Sequence, residues 1–323
     1  MANNSVKTAL LANVGVAVAK GLAAAFTGSS AMLSESVHSV ADCANELVLM
    51  VGDKVARRFD TRHPFGLYRA KYLASFLVAT LLFFVGGWFS ASQSVEKLTG
   101  LANGSVAHTI EPVELLASLA VIIVSALMEG YGLHTSIREA RERMKRLDLN
   151  ISNLFVFWRR TKSAELASVM MEDTLALVGL VFAGAGIGVA LLTGDELWDA
   201  VGGLCVGVVL IVGALALGFK SGSLLIGESL DQQMVDRIRS AVEGTPGVER
   251  LINMQAMHMA EDDILLCLKV QTSKLDRDFD VETVNKIEAA VRAALPFYRF
   301  EIYVEPDLYR PAKQPEALTD NQE

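Results

Sequence analysis

Residues 32–53 read MLSESVHSVADCANELVLMVGD, and the mixture in this stretch decides the fold. It is apolar enough overall, and near enough to the roughly 20 residues that cross a bilayer, to be a membrane span. It nevertheless carries Glu35, His38, Asp42, Asn45 and Glu46. Positions 35, 38, 42 and 45 advance by three, four and three residues, so a helix lays those four side chains along one face. Ionisable groups inside a bilayer are costly, so this face must meet protein or water, and such residues point to function by default.

Working outward, apolar runs of span length recur at about 8–27, 72–95, 113–134, 166–192 and 198–219, which makes six spans with 32–53. Positive charge sets their orientation. The segment after span two carries Arg57, Arg58, Arg62, Arg69 and Lys71, and the one after span four carries Arg138, Arg141, Arg143, Lys145, Arg146, Arg159, Arg160 and Lys162. The alternate connections hold Lys97 at most, so the positive-inside rule places both termini in the cytoplasm.

From Glu228 the texture turns soluble. Residues 231–243 read as an amphipathic helix ended by Gly244-Thr245-Pro246-Gly247. Residues 248–259 and 263–271 read as strands, 280–294 as a helix stopped before Pro296, and 298–304 as a strand. An αββαβ order predicts a small sheet with helices on one face, an α+β arrangement. The expected organisation is a six-span transmembrane domain over 1–227, a cytoplasmic domain over 228–311 and a disordered tail over 312–323.

Composition excludes whole classes of function. Of 323 residues, 52% are hydrophobic and 25 are glycine, which is not the make-up of an ordinary soluble enzyme. The net charge of −8 lies in the tail, where 19 acidic residues face 11 basic ones, while the 18 of each sign before Glu228 cancel. No basic face is present, so nucleic acid is excluded as a partner. Cys43, Cys205 and Cys267 stand alone, without the spacing of a disulfide framework or metal knuckle. H-E-x-x-H, G-x-S-x-G and P-loop patterns are missing, which leaves a membrane hydrolase without support.

Within span two, His38 and Asp42 are one turn apart, the arrangement that lets an imidazole and a carboxylate close on one cation and suits zinc and other first-row divalent ions. The same pair is also able simply to bond to itself and hold helices together. Span five repeats the theme with Glu172 and Asp173, whose side chains diverge by about 100°, so one of them faces the ion while the other meets a neighbouring helix or water. Other polar residues in spans have bland readings. Lys20 is expected to snorkel, Glu129 and His134 to sit near the cytoplasmic end of span four, and Asp199 to complement the dipole at the start of span six. Glycines along spans five and six permit close packing.

The run from Thr27-Gly28-Ser29-Ser30 through Ser34-Glu35 and His38-Ser39 to Asp42, followed by His63-Pro64-Phe65-Gly66, resembles the signature of the cation diffusion facilitators. Met128-Glu129-Gly130-Tyr131 and Glu172-Asp173 resemble the divergent branch of that family that includes zinc transporter nine. The similarity covers nearly the whole chain. It implies an α-helical membrane protein of six transmembrane helices with a C-terminal cytoplasmic ferredoxin-like domain, working as a homodimer in the lipid bilayer, here that of a bacterial inner membrane. It implies no resident cofactor; the divalent metal ion, zinc by preference, and protons are substrates.

Carried over residue by residue, His38 and Asp42 match the first half of the family's transport site, and Asp173 the last position. Val169 stands where the family has His or Asp, so Glu172 is the candidate replacement. Asp60 and His63 match two ligands of a secondary site whose third position is Leu67. Glu35 and Asn45 are candidates for accessory proton or gating roles. In the soluble domain the family's zinc positions hold Ile252, Cys267, Tyr303 and Glu305, which predicts that no binuclear site remains there. The resemblance implies export of a divalent transition metal against protons. Manganese, iron or cobalt export, and a transport-dead regulatory scaffold, are the alternatives.

Overall fold

A computed structural model describes residues 2–58, 60–103, 112–146, 153–273 and 277–309; the expected disordered tail at 312–323 lies outside the described residues. The chain forms two compact units, Met1–Ile226 and Gly227–Glu323.

The first unit is helical: α1 (Ala2–Thr27), α2 (Ser30–Ala56), α3 (Ala70–Leu81), a π-helical segment (Leu82–Trp88), α4 (Phe89–Ala102), α5 (Pro112–Arg146), α6 (Leu154–Arg160), α7 (Ala164–Thr193) and α8 (Leu197–Ile226). α3, the π segment and α4 form one continuous rod, Ala70–Ala102. Among the described residues, that rod, Leu116–Lys145, Ala164–Thr193 and Leu197–Ile226 are long and apolar enough to cross a membrane, and Asn13–Thr27 is a shorter apolar helix. The sequence count of six spans differs at its first two members. α2 has the length, at 27 residues, but Glu35, Asp42, Glu46, Asp53 and Lys54 interrupt its apolar character.

Local chemistry explains the helix ends. Ser29 caps α2 by accepting from the Met32 amide at 3.1 Å, which satisfies one of the donors that a helix start leaves open. Gly28, at φ +61°, supplies the left-handed turn between α1 and α2. Gly194, at φ +70°, does the same where α7 ends and α8 follows. α7 and α8 then cross through facing glycines: a Cβ on Gly186 would fall 2.9 Å from the Gly202 Cα. Any larger residue at either position would drive these helices apart. Their apolar faces join Met32, Leu82, Ile122, Leu175, Leu180, Ile187, Val206 and Leu210 in the main core.

The second unit contains α9 (Gln232–Glu243), β1 (Val248–His258), β2 (Asp263–Thr272), α10 (Arg277–Ala294) and β3 (Arg299–Pro306). The sheet order is β1-β2-β3, with β1 antiparallel and β3 parallel to β2. α10 is the crossover that a parallel neighbour requires. On β2, Ile264, Leu266, Leu268 and Val270 are buried with Ile238 and Val242 of α9 and Ile287 and Val291 of α10. Period-two alternation puts Cys267 on the opposite face, where the register aligns it with Gln255 and Tyr303, all exposed.

Candidate metal centre

Four helices contribute to one buried polar cavity. Asn13 and Val16 of α1, Ser39, Asp42, Glu46 and Leu49 of α2, Glu129 of α5, and Val169, Glu172 and Asp173 of α7 line a space of about 60 Å³. A single water needs roughly 10–15 Å³ of such space, so there is room for several waters or a partly hydrated ion. Five carboxylates therefore share a cavity within the helical unit.

Each of them is held differently. His38 is fully buried, and its Nε2 lies 3.2 Å from Asp42 Oδ2, not aligned as a hydrogen bond, so the imidazole stands behind Asp42. Glu172 points toward α2, where Asn45 Nδ2 donates to its Oε1 at 2.9 Å. Asp173 turns the other way, to α5, and accepts from Ser136 Oγ at 3.0 Å. A Cβ on Gly132 would fall 3.4 Å from both Asp173 carboxylate oxygens, so the small residue on α5 makes space for that carboxylate. Glu46 accepts from Asn13 Nδ2 at 2.6 Å, which ties α2 to α1. Among the described residues, no three His, Cys, Asp or Glu side chains stand close enough, as placed, to surround a metal ion. Asp42 Oδ1 and Glu46 Oε2 are buried without hydrogen-bond partners among the described residues.

Three placements differ from the sequence reading. Lys20 does not snorkel: it is fully buried, and its Nζ lies 3.1 Å from Glu35 Oε2, also fully buried. An apolar helix face left the lysine no closer counter-charge than the glutamate of the next helix. Asp199 does more than favour its own helix. It accepts from Ser29 Oγ at 2.5 Å, from the Ser30 amide at 2.8 Å and from Lys97 Nζ at 3.0 Å, so it also braces the start of α2. Glu129, read as peripheral, lines the cavity. Glu46, Asn13 and Ser39 are polar lining residues that the sequence reading gave no role. Glu46 carried a usable signal, since it lies one turn beyond Asp42.

In the loop between α2 and α3, Asp60 accepts from the Arg62 amide at 3.0 Å and pairs with its guanidinium, while His63 Nδ1 lies 3.2 Å from Asp60 Oδ2. Hydrogen bonds from the Arg62 backbone and side chain hold the Asp60 carboxyl below the usual carboxylate range. The aspartate is thus committed to its own turn. In the second unit His258 is buried, with Nδ1 3.3 Å from the Ala260 carbonyl oxygen and its ring edge-on to Tyr298, which is the environment of a core histidine.

A membrane-embedded helical bundle that gathers carboxylates and an imidazole around an internal cavity is the architecture of an ion-handling integral membrane protein. The profile of the cation efflux transmembrane domain matches residues 6–226, and the chain belongs to that family, the cation diffusion facilitators. It is therefore a multi-pass membrane protein of a transporter family, not an enzyme. It is 30% identical over 269 residues to a proton-coupled zinc antiporter SLC30A9, mitochondrial, of Xenopus laevis, covering 83% of this chain and 45% of that protein. With the metal tolerance protein C4 of Arabidopsis thaliana it shares 28% over 232 residues, 71% of this chain and 48% of the relative. With the magnetosome protein MamB of Magnetospirillum gryphiswaldense it shares 25% over 293 residues, 88% of this chain and 85% of the relative. The chain spans less than half the length of the zinc antiporter and the metal tolerance protein.

Proposed function

We propose that this chain is a secondary transporter that exports a divalent transition-metal ion, zinc by preference, from the cytosol in exchange for protons. The single observation that carries the reading is the shared cavity: Asp42, Glu46, Glu129, Glu172 and Asp173 converge from three helices, with His38 behind Asp42. Imidazole and carboxylate oxygens without thiolate suit zinc and its first-row neighbours, and the order of ion affinity favours zinc over manganese at most such sites. Metal requires these groups deprotonated, so binding expels protons and protonation expels metal. A site that opens alternately to each side turns that competition into antiport. We assign the binding set as His38, Asp42 and Glu172, with Asp173 joining by rotating away from Ser136.

In this reading α1, α2, the rod, α5, α7 and α8 are the six spans and both termini are cytoplasmic, in agreement with the arginine-rich segments after α2 and α5. The C-terminal unit is a ferredoxin-like domain through which two chains pair, and the membrane is a bacterial inner membrane. The names of the antiporter and metal tolerance relatives support metal transport. Purified chain in proteoliposomes should take up zinc when the lumen is acidic, and collapse of the proton gradient should stop it. Zinc uptake indifferent to the gradient would refute antiport, and no uptake of zinc, cobalt, iron or manganese would leave the scaffold reading in its place.

A further inference from the structure

A second cavity, on the outside of α2, shares no residue with the acidic one. Leu47, Val51 and Val55 of α2 and Leu73 and Leu77 of α3 wall a space of about 350 Å³, and its lining holds no polar side chain. That volume lies within the range of ligand pockets. Its floor is made by small residues: a Cβ on Gly52 would run into the Ala74 Cβ and fall 3.2 Å from the Ala70 carbonyl oxygen, so the two helices almost touch there. Leu47, Val51, Leu73 and Leu77 are exposed, so the space is a groove open to the outside of the bundle.

Charge marks one end of it. Leu47, Val51, Lys54 and Arg58 advance by four, three and four residues, so the two cations continue one wall of the groove to the end of α2. Neighbouring cations are already engaged: Arg57 and Lys71 pair with Asp53, Arg62 with Asp60, and Arg69 donates to the Leu225 carbonyl oxygen. Lys54 and Arg58 are exposed and, among the described residues, pair with no carboxylate. The length also fits a lipid. From Leu47 to Arg58 is eleven residues, about 16 Å of helical rise, against about 15 Å for the hydrocarbon of one leaflet. Basic pockets between helices on the cytoplasmic side of a membrane hold anionic headgroups, and the positive-inside rule puts this end of α2 there.

We propose that the groove between α2 and α3 is a binding site for one anionic phospholipid of the leaflet on the arginine-rich side, with an acyl chain lying between Leu47, Val51, Leu73 and Leu77 and the phosphate held by Lys54 and Arg58. A zwitterionic lipid offers the same chain, but its own cation offsets the phosphate, so headgroup charge decides which lipid stays. The site requires that the chain lie in a membrane and is independent of what the acidic cavity carries.

The test is native mass spectrometry of the full-length chain in detergent, given an equimolar mixture of phosphatidylglycerol and phosphatidylcholine with identical acyl chains. The wild type should retain phosphatidylglycerol at least about tenfold over phosphatidylcholine. Lys54→Gln with Arg58→Gln should cancel the preference, and Val51→Trp, which fills the groove from an exposed position, should lower retention of both lipids. Arg57→Gln with Arg62→Gln removes the same charge from cations that already have partners, and should keep the preference. Equal retention of the two lipids by the wild type, or equal loss of preference in both double variants, would overturn the site, since general surface charge would then account for binding. With Cys43→Ala, Cys205→Ala and Cys267→Ser as background, ready oxidation of Val51→Cys to a disulfide between two chains in the membrane would seat a second copy in the groove, and would overturn it too.

Discussion

The two units handle charge in opposite ways. In the C-terminal unit, charged side chains lie at the surface and pair with partners that water already satisfies. Arg299, 73% exposed, grips Asp263 through two contacts of 2.6 Å, and Lys269 reaches both Asp307 and Glu305. Those acceptors raise the Lys269 ammonium pKa, with Asp307 the larger cause, and Lys286 in turn holds Glu282 below the usual carboxylate range. In the helical unit, by contrast, some ionisable groups are fully buried between helices and only partly satisfied: Glu35 keeps one oxygen without a partner although Lys20 holds the other. Exposed pairs contribute little, whereas a charge inside a bundle is retained only where something depends on it. The density of unsatisfied polar atoms among the described residues, more than the number of charges, therefore separates the helical unit from the C-terminal one.

The sharpest way to break this contrast is to remove the buried groups next to the cavity. His38→Ala and Asp42→Ala should each reduce zinc uptake in proteoliposomes to the level of protein-free vesicles while the chain elutes at the wild-type volume. Wild-type flux in either variant at equal reconstitution would show that α2 does not carry the site.

Next in size is the buried ion pair. Lys20→Met leaves Glu35 charged and alone, and should destabilise the helical unit by about 3–5 kcal/mol, whereas Lys20→Met with Glu35→Gln should recover most of the loss. Thermal unfolding in detergent measures both. Equal destabilisation by the single and double changes would mean that packing of the lysine stem, not its charge, is what matters.

A smaller effect should separate the adjacent acids of α7. Glu172→Gln places an amide opposite Asn45 and should weaken zinc binding by at least roughly tenfold, the low end of what loss of even an outer-shell partner of a ligand costs. Asp173→Asn keeps an oxygen for Ser136 and should lower flux while changing affinity less. Isothermal titration and initial uptake rates distinguish them, and the reverse order would make Asp173 the principal ligand.

The smallest effects belong to the C-terminal unit. Arg299→Ala should cost about 1 kcal/mol, since the arginine side chain of the pair is 73% exposed and solvent can replace it at Asp263. Cys267→Ser should leave zinc binding and the response of the oligomer to chelator unchanged, because its register neighbours Gln255 and Tyr303 supply no partner thiolate or imidazole. Dissociation of the oligomer by chelator would restore a bridging metal to this unit and remove the contrast between the two regions.

Much of the architecture is legible in the chain because it is local. Alternation along 263–271 and the stop before Pro296 place the elements of the second unit to within a residue or two at most ends; α10 starts earlier than the sequence suggests, at Arg277. The one-turn spacing of His38 and Asp42 likewise fixes their approach, since a helix brings i and i+4 together whatever surrounds it. The apolar runs reveal the bundle, although the charges of α2 interrupt its apolar character.

What the sequence by itself determined, then, is periodicity: which segments are helices or strands, which face of each is polar, and that α2 and α7 carry ionisable groups where lipid would otherwise be. Only the tertiary structure decided their partners. Asp199 braces a helix start 170 residues away, Asn45 meets Glu172 across 127, and Lys20 finds Glu35 rather than the headgroup layer. The same holds for the opposite directions of Glu172 and Asp173, and for the close approach of Gly203 on α8 to the Ser30 backbone at the start of α2. The physical reason is that one chain segment specifies its own helical face, while the counter-charge, hydroxyl or glycine that face meets comes from a helix whose place depends on how every other helix packs.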